Sequence, residues 1–133
     1  LVPAGTSVVF SNGVTDGEYE QLLRTATALV TLSRAEGYGL PMIEAMAAGT
    51  PVVASDIPIF REVSGGAALL VDPDSQGAFA DAVLALADPE RWRKVSEAGL
   101  RRAAQYSWDA SAVQLVEAAQ EAVRQHRARR PAG

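Results

Sequence analysis

Continuous apolar runs alternate with amphipathic stretches over the first half of the chain. Four such runs occupy residues 7–10, 28–32, 51–54 and 68–71. Short apolar runs that are bounded by turn residues are typical of strands buried on both faces. Such strands belong to parallel sheets, because crossover helices cover each side of the sheet. We therefore predict an α/β fold with a doubly wound parallel sheet.

Helices are predicted between the strands and throughout the second half of the chain. Thr15 or Asp16 is expected to cap a helix that ends near residue 25. Pro41 suits the first position of a helix over residues 42–48, which Gly49 would end. Further helices are predicted at 58–63, 78–87, 89–104 and 108–127, with Phe79, Trp92, Leu100 and Trp108 expected to be packing residues.

Composition narrows the classes of function. The chain has 133 residues and a formal net charge of −4, so we expect no nucleic-acid partner. It has no cysteine and one histidine, His126, which excludes thiolate chemistry and a site built on several histidines. No apolar run approaches the roughly 20 residues of a membrane span, and no signal-peptide pattern is evident. The expected location is the cytoplasm.

The most informative stretch is the run E-G-Y-G-L-P-M-I-E, from Glu36 to Glu44. It places two carboxylates on either side of a glycine-rich turn between a predicted strand and a predicted helix. Backbone N–H groups collect at the start of such a helix, where an anion is favoured. The carboxylates cannot bind a phosphate, but they can accept hydrogen bonds from sugar hydroxyls. This combination suits a nucleotide-sugar at the carboxyl edge of the sheet.

Three stretches carry a resemblance to a known family: residues 36–56 (E-G-Y-G-L-P-M-I-E-A-M-A-A-G-T-P-V-V-A-S-D), residues 62–73 (E-V-S-G-G-A-A-L-L-V-D-P) and residues 106–109 (Y-S-W-D). From about residue 8 to about residue 118, the sequence resembles the C-terminal nucleotide-sugar domain of retaining glycosyltransferases with the GT-B architecture. The likeness is greatest to glycosyltransferase group 1, or family 4, whose signature is a pair of glutamates separated by seven residues. The resemblance implies a Rossmann-like, doubly wound sheet followed by C-terminal helices.

The resemblance also implies roles for individual residues. Glu36 would be the catalytic residue beside the transferred sugar, and Glu44 would accept hydrogen bonds from the ribose diol. The other residues expected to bind the donor line the turn or meet the base: Val14, Gly37, Tyr38, Gly39 and Leu40. The implied reaction moves a sugar from a nucleoside-diphosphate sugar to an acceptor, with the nucleotide-sugar as substrate and no metal ion or cofactor.

Several alternatives stay open. Glu36 and Glu44 could each be a solvated surface acid, and residues 72–74 (D-P-D) have the form of a metal site, although turn chemistry explains them better. The third glycine of a dinucleotide fingerprint is absent, which argues against a nicotinamide cofactor. A non-catalytic nucleotide-sugar-binding or interaction module of the same fold is the alternative function, and a sugar-nucleotide epimerase or phosphorylase is a third. The basic run 124–130 suggests a weak contact with a membrane surface.

The resemblance further predicts that residues 1–133 are part of a donor domain. Relatives carry an arginine and a lysine that clamp the diphosphate, whereas the single lysine here, Lys94, lies in the helical C-terminal region. In the strand order of the fold, residues 7–10 would be the third strand and 28–32 the fourth, which leaves two intervening strands unaccounted for. We expect an N-terminal acceptor domain or another chain to complete the sheet, and a helix over 105–127 that in relatives packs back toward the N-terminal domain.

Overall fold

The computed structural model describes residues 7–128, apart from the side chains of Gln76 and Arg127. In this region, helices and strands alternate as far as the third strand, and helices follow. The elements in chain order are α1 (Asp16–Thr25), β1 (Leu29–Thr31), α2 (Leu40–Ala47), β2 (Val52–Ser55), α3 (Pro58–Ser64), β3 (Leu69–Val71), α4 (Gln76–Leu84), a 3₁₀ turn (Ala85–Ala87), α5 (Pro89–Ala103) and α6 (Trp108–Ala128).

The strands of the described region form one parallel sheet in the order β1-β2-β3. Leu29 pairs with Val52, and Val53 pairs with Leu69. The central strand, β2, is buried along its whole length. Sequential strands that lie side by side in parallel need a crossover helix each, and α2 and α3 supply these crossovers. The predicted parallel α/β sheet is confirmed.

Two hydrophobic clusters cover the two faces of the sheet, because alternate residues of β2 point to opposite sides. Val52 and Ala54 face a cluster built mainly from α1, α2 and α3, in which Phe60 and Met42 are each 1% exposed. Val53 faces a cluster that receives side chains from α4, the 3₁₀ turn and α5. Helices on both faces make the sheet doubly wound, as predicted.

The predicted strand at residues 7–10 is wrong. This segment has no strand structure, and Val8, Val9 and Phe10 are 60%, 81% and 90% exposed. A strand needs a ladder partner, and within the described region β1 pairs only with β2. The other edge of β1 is therefore open, and next to it Val30 is 44% exposed. Apolar, strand-forming residues do not form a strand where no neighbouring strand is present to accept their hydrogen bonds.

The predicted helix signals agree better with the structure. Thr15 caps α1 in a capping box, because its hydroxyl accepts from the N–H of Glu18 while the Glu18 carboxylate accepts from the N–H of Thr15. The Thr15 N–H and the Thr15 hydroxyl both donate to the Glu18 carboxylate, and these two bonds lower the pKa of Glu18. Pro41 is the second residue of α2, one position later than predicted, and Gly49 follows the helix with a φ of +81°.

The outcome for the four predicted packing residues is mixed. Phe79 and Trp92 pack against the second cluster, and the Trp92 indole N–H donates to the carbonyl of Thr27 at 2.8 Å. The predictions for Leu100 and Trp108 are wrong, since these side chains are 45% and 80% exposed. Helical spacing identifies a common face but does not say whether another element covers that face.

The last helix, α6, contributes no described residue to either cluster, and its described side chains are all exposed. Arg124, in the basic run predicted to contact a membrane, is paired with Glu121 at 2.8 Å. Residues 129–130 of that run lie outside the described residues, so the membrane contact stays a prediction. Within residues 7–128, no helix is both long enough and apolar enough to cross a bilayer.

Candidate functional site

The loop from Ser33 to Gly39 joins the carboxyl end of β1 to α2 and carries most of the predicted site. Gly39 precedes the helix in a left-handed conformation, with φ +84° and ψ +39°. A β-carbon on Gly39 would lie 3.0 Å from Cε1 of the buried Phe60 ring. Both the backbone conformation and the close approach require glycine here. The turn therefore directs the chain into α2 directly above the core.

The first turn of α2 offers few open amide donors. Leu40 is the first helical residue, so its N–H has no acceptor inside the helix. Pro41 has no N–H, and the N–H of Met42 donates to the carbonyl of Gly39 at 3.0 Å. A phosphate at this helix end would therefore meet the backbone N–H groups at Gly39 and Leu40, the two positions that the sequence predicted.

Glu36 lies in the same loop and is exposed. The Ser33 hydroxyl donates to Glu36 Oε1 at 2.7 Å, which ties the carboxylate to the end of β1. One carboxylate oxygen has this donor, and lone pairs stay open on the other for a hydroxyl donor from solvent or ligand.

Glu44 lies on α2, one turn after Leu40, and is also exposed. The Tyr19 hydroxyl, on α1, donates to Glu44 Oε2 at 3.0 Å. Partial burial of the ring raises the pKa of Tyr19, and the bond to the Glu44 carboxylate raises it further. Tyr19 therefore stays a hydrogen-bond donor at neutral pH. The sequence analysis did not predict this contact between two helices.

Two ion pairs lie at the same carboxyl edge of the sheet. Arg34, in the β1–α2 loop, donates to Asp74 Oδ1 at 2.6 Å, and Arg61 forms a two-pronged pair with Asp56 at 2.5 and 2.9 Å. The bond from Arg61 lowers the pKa of Asp56. Arg34 and Asp74 lie on different loops, and Arg61 lies on α3 five residues after Asp56. Neither pair was predicted, because helical or strand periodicity does not identify the polar partner of a side chain.

The D-P-D segment at residues 72–74 forms a turn. Asp72 Oδ1 accepts from the N–H of Asp74 at 2.9 Å, and Asp74 pairs with Arg34. The described residues contain no group of three acidic or histidine side chains that could hold a metal ion. The turn interpretation of this segment is therefore confirmed by its own hydrogen bond.

A cleft of about 490 Å³ opens between the start of α2 and the junction of α5 with α6. Of the predicted site residues it brings together Tyr38, Leu40 and Glu44. The other four predicted residues, Val14, Glu36, Gly37 and Gly39, do not line it, and Val14 is 41% exposed just before α1. Trp108 was predicted to be a packing residue, but its side chain is exposed and lines the cleft. The full lining is Tyr38, Leu40, Ile43, Glu44, Tyr106, Ser107, Trp108 and Ser111.

Comparisons with known proteins agree on one family. A family model described as glycosyl transferases group 1 matches residues 3–102. The O-antigen chain mannosyltransferase B of Escherichia coli is 37% identical over 122 residues, covering 89% of this chain and 32% of the relative. The MMP alpha-(1->4)-mannosyltransferase of Mycolicibacterium hassiacum is 36% identical over 118 residues, covering 85% of this chain and 29% of the relative.

The chain is also similar to a solved structure. The sucrose-phosphate synthase from Thermosynechococcus elongatus matches with a TM-score of 0.73 and 34% sequence identity. The match covers 86% of this chain and 30% of that one. The chain therefore spans about a third of the length of these similar proteins.

Proposed function

The chain belongs to the group 1 family of glycosyl transferases, and from that premise we propose that it supplies the donor site for transfer from a nucleoside-diphosphate sugar. The family and the GT-B fold support a role in glycosyl transfer. The identity of the donor and the roles of single residues are the proposal. The observation that carries it is the Gly39 turn, which sets open amide donors and the Glu44 carboxylate at the two ends of one helical turn.

We propose that Glu44 binds the ribose of the nucleotide. Its carboxylate borders the cleft, and its free lone pairs accept hydrogen bonds but cannot donate them. A vicinal diol offers two hydroxyl donors, which match such an acceptor. Hydrogen bonds to a charged partner contribute about 1.5–3 kcal/mol. Replacing Glu44 with alanine is therefore expected to weaken nucleotide binding by about that amount.

We propose that the diphosphate lies at the start of α2. The N–H groups at Gly39 and Leu40 and the positive end of the helix dipole favour an anion there. The same groups would stabilise the charge that grows on the diphosphate as the bond to the sugar breaks. Glu36, fixed by Ser33 on the other side of the turn, would accept from hydroxyls of the transferred sugar.

We propose that transfer is metal-independent and retains the stereochemistry of the sugar, on the strength of the family's paired glutamates. No side chain is assigned as a nucleophile. We also propose that the acceptor domain and the cations that clamp the diphosphate lie outside these 133 residues, and that the chain by itself is therefore inactive. A cytoplasmic location is part of the same proposal.

The proposal is tested by thermal unfolding of the chain with UDP, GDP, ADP and their sugars. A ligand at about a hundred times its dissociation constant stabilises the folded state by about 2.7 kcal/mol. We expect a shift with one base, and loss of that shift in Glu44→Gln. The matched control is Glu20→Gln, which removes an exposed carboxylate paired with Arg24 on the solvent side of α1. Stabilisation that survives in Glu44→Gln, or is lost equally in Glu20→Gln, would contradict the role given to Glu44.

A further inference from the structure

Tyr19 makes a contact that joins the core to the candidate site. Its ring packs against the first hydrophobic cluster, while its hydroxyl reaches Glu44 Oε2 at 3.0 Å. The two residues are 25 positions apart in the chain and lie on neighbouring helices, α1 and α2. The start of α1 is itself fixed by the Thr15–Glu18 capping box. A side chain on a well-defined helix therefore holds one oxygen of an otherwise exposed carboxylate.

We propose that Tyr19 is a positioning residue, which orients the Glu44 carboxylate for the ribose diol. The inference rests on the proposed function of Glu44 and extends it to a second residue. Tyr19 acts through Glu44, and its hydroxyl need not touch the nucleotide.

The physical argument concerns the freedom of an exposed glutamate. Fixing such a long side chain on ligand binding carries an entropy cost, and a contact that already restricts the side chain in the free protein lowers that cost. The Tyr19 hydroxyl occupies one acceptor site of the carboxylate. About three of its four lone-pair sites stay open, which is enough for the two hydroxyl donors of a diol.

A merely structural role for this hydroxyl is the competing explanation. Another hydrogen bond already fastens α1 to the segment after α2: the buried hydroxyl of Thr50 donates to the carbonyl of Leu23. That bond lies at the other end of α1 from the site and touches no predicted site residue. One hydroxyl therefore joins α1 to α2 and the other joins α1 to the segment directly after α2, and only the Tyr19 hydroxyl contacts Glu44.

These two hydroxyls allow a matched experiment. Tyr19→Phe and Thr50→Val each remove one of these two hydroxyls. The first substitution keeps the aromatic ring, and the second keeps the branched shape of the side chain. Affinities are measured by calorimetry for whichever of UDP, GDP and ADP binds tightest, and for its 2′,3′-dideoxy counterpart. Thermal unfolding without ligand records the effect of each substitution on stability.

We expect Tyr19→Phe to weaken binding of the ribonucleotide about threefold to tenfold, the range for the cost of ordering one long side chain on binding. The affinity for the dideoxy nucleotide should not change, because this nucleotide has no ribose hydroxyls to donate hydrogen bonds to Glu44. Thr50→Val should lower thermal stability and leave both affinities as they are. In a Glu44→Gln background, adding Tyr19→Phe should weaken ribonucleotide binding no further.

The outcomes separate this inference from the proposal it rests on. If Glu44→Gln weakens the ribonucleotide selectively and Tyr19→Phe does not, the positioning role is overturned while the ribose role stands. If Tyr19→Phe weakens ribonucleotide and dideoxy nucleotide equally, its effect is structural and the inference is overturned. If Glu44→Gln changes neither affinity, or none of the three diphosphates binds at millimolar concentration, both proposals are overturned.

Discussion

Replacing Arg102 with alanine removes the side chain that joins α5 to the C-terminal end of α3. The last carbonyls of a helix have no N–H donor within the helix, so they need donors from elsewhere. Arg102 supplies two: Nε donates to the carbonyl of Val63 at 2.8 Å, and Nη2 donates to that of Glu62 at 2.7 Å. The Tyr106 hydroxyl accepts from Nη2 and donates to the Val63 carbonyl at 3.0 Å. The Arg102 guanidinium therefore reaches two carbonyls at the end of α3 and shares one of them with the Tyr106 hydroxyl.

The magnitude follows from these contacts. Hydrogen bonds from a charged donor contribute about 1.5–3 kcal/mol each, and a cation at a helix C-terminus is favoured by the dipole. Arg102 is only partly buried, so water can replace some of these hydrogen bonds in the variant. We therefore expect the free energy of unfolding to fall by about 2–4 kcal/mol. At roughly 3–4 °C for each kcal/mol in a chain of this size, the melting temperature should fall by roughly 6–16 °C.

The assay is urea and thermal unfolding of Arg102→Ala beside Arg101→Ala. Arg101 is the neighbouring residue, is 70% exposed and lies 3.9 Å from Glu97, so its loss should cost less than about 0.5 kcal/mol. The stability of Arg102→Lys should lie between the stabilities of the two alanine variants, because lysine keeps the charge but lacks the planar guanidinium. Equal stability of Arg102→Ala and Arg101→Ala would refute the reasoning.

Three other substitutions test the site and its edge. Gly39→Ala should destabilise the fold and weaken nucleotide binding, because a β-carbon would meet Phe60 at 3.0 Å in a backbone conformation that favours glycine; unfolding and calorimetry measure the two effects, and an unstrained, binding-competent variant would contradict this. Glu36→Gln should weaken binding of the nucleotide-sugar more than that of the free nucleoside diphosphate, and equal losses by calorimetry would remove Glu36 from the sugar. Arg61 lowers the pKa of Asp56 below its usual value of 3.8, so the pair should stabilise the fold above pH 3.8, and this stability should be lost as the pH falls through the lowered pKa of the folded state. Asp56→Asn should therefore flatten the acid side of a curve of unfolding free energy against pH. An unchanged curve would contradict the pairing.

The sequence predicted the elements whose signals are local. The buried runs at 28–32, 51–54 and 68–71 became β1, β2 and β3, because crossover helices and a paired neighbour were present for each. The run at 7–10 has the same composition and no ladder partner, so composition alone misassigned it. Trp108 was expected to pack where the last helix leaves the sheet, but its side chain is 80% exposed, because a local sequence signal does not show which surfaces other elements cover.

The candidate site divides in the same way. The Gly39 turn and the positions of Glu36 and Glu44 could be predicted because strand, glycine and helix follow one another within a few residues. The contact between Tyr19 and Glu44 could not, because it depends on how α1 lies against α2. Arg34 and Asp74 are 40 positions apart and meet only because β1 and β3 end at one edge of the sheet.

These edge pairs bear on where the charge for a diphosphate would come from. Arg34 and Arg61 lie at the edge where parallel α/β sheets bind ligands, but each is paired with its own aspartate. Arg34 and Arg61 are 67% and 62% exposed, so water screens both pairs and a stronger anion could compete for either arginine. If neither arginine leaves its aspartate, the phosphates are held by neutral amides, and nucleotide affinity should depend only weakly on ionic strength. If nucleotide affinity instead falls steeply with ionic strength, and this dependence disappears in Arg34→Gln, then Arg34 binds the diphosphate. Asp74 would in that case pair with Arg34 only while the site contains no nucleotide.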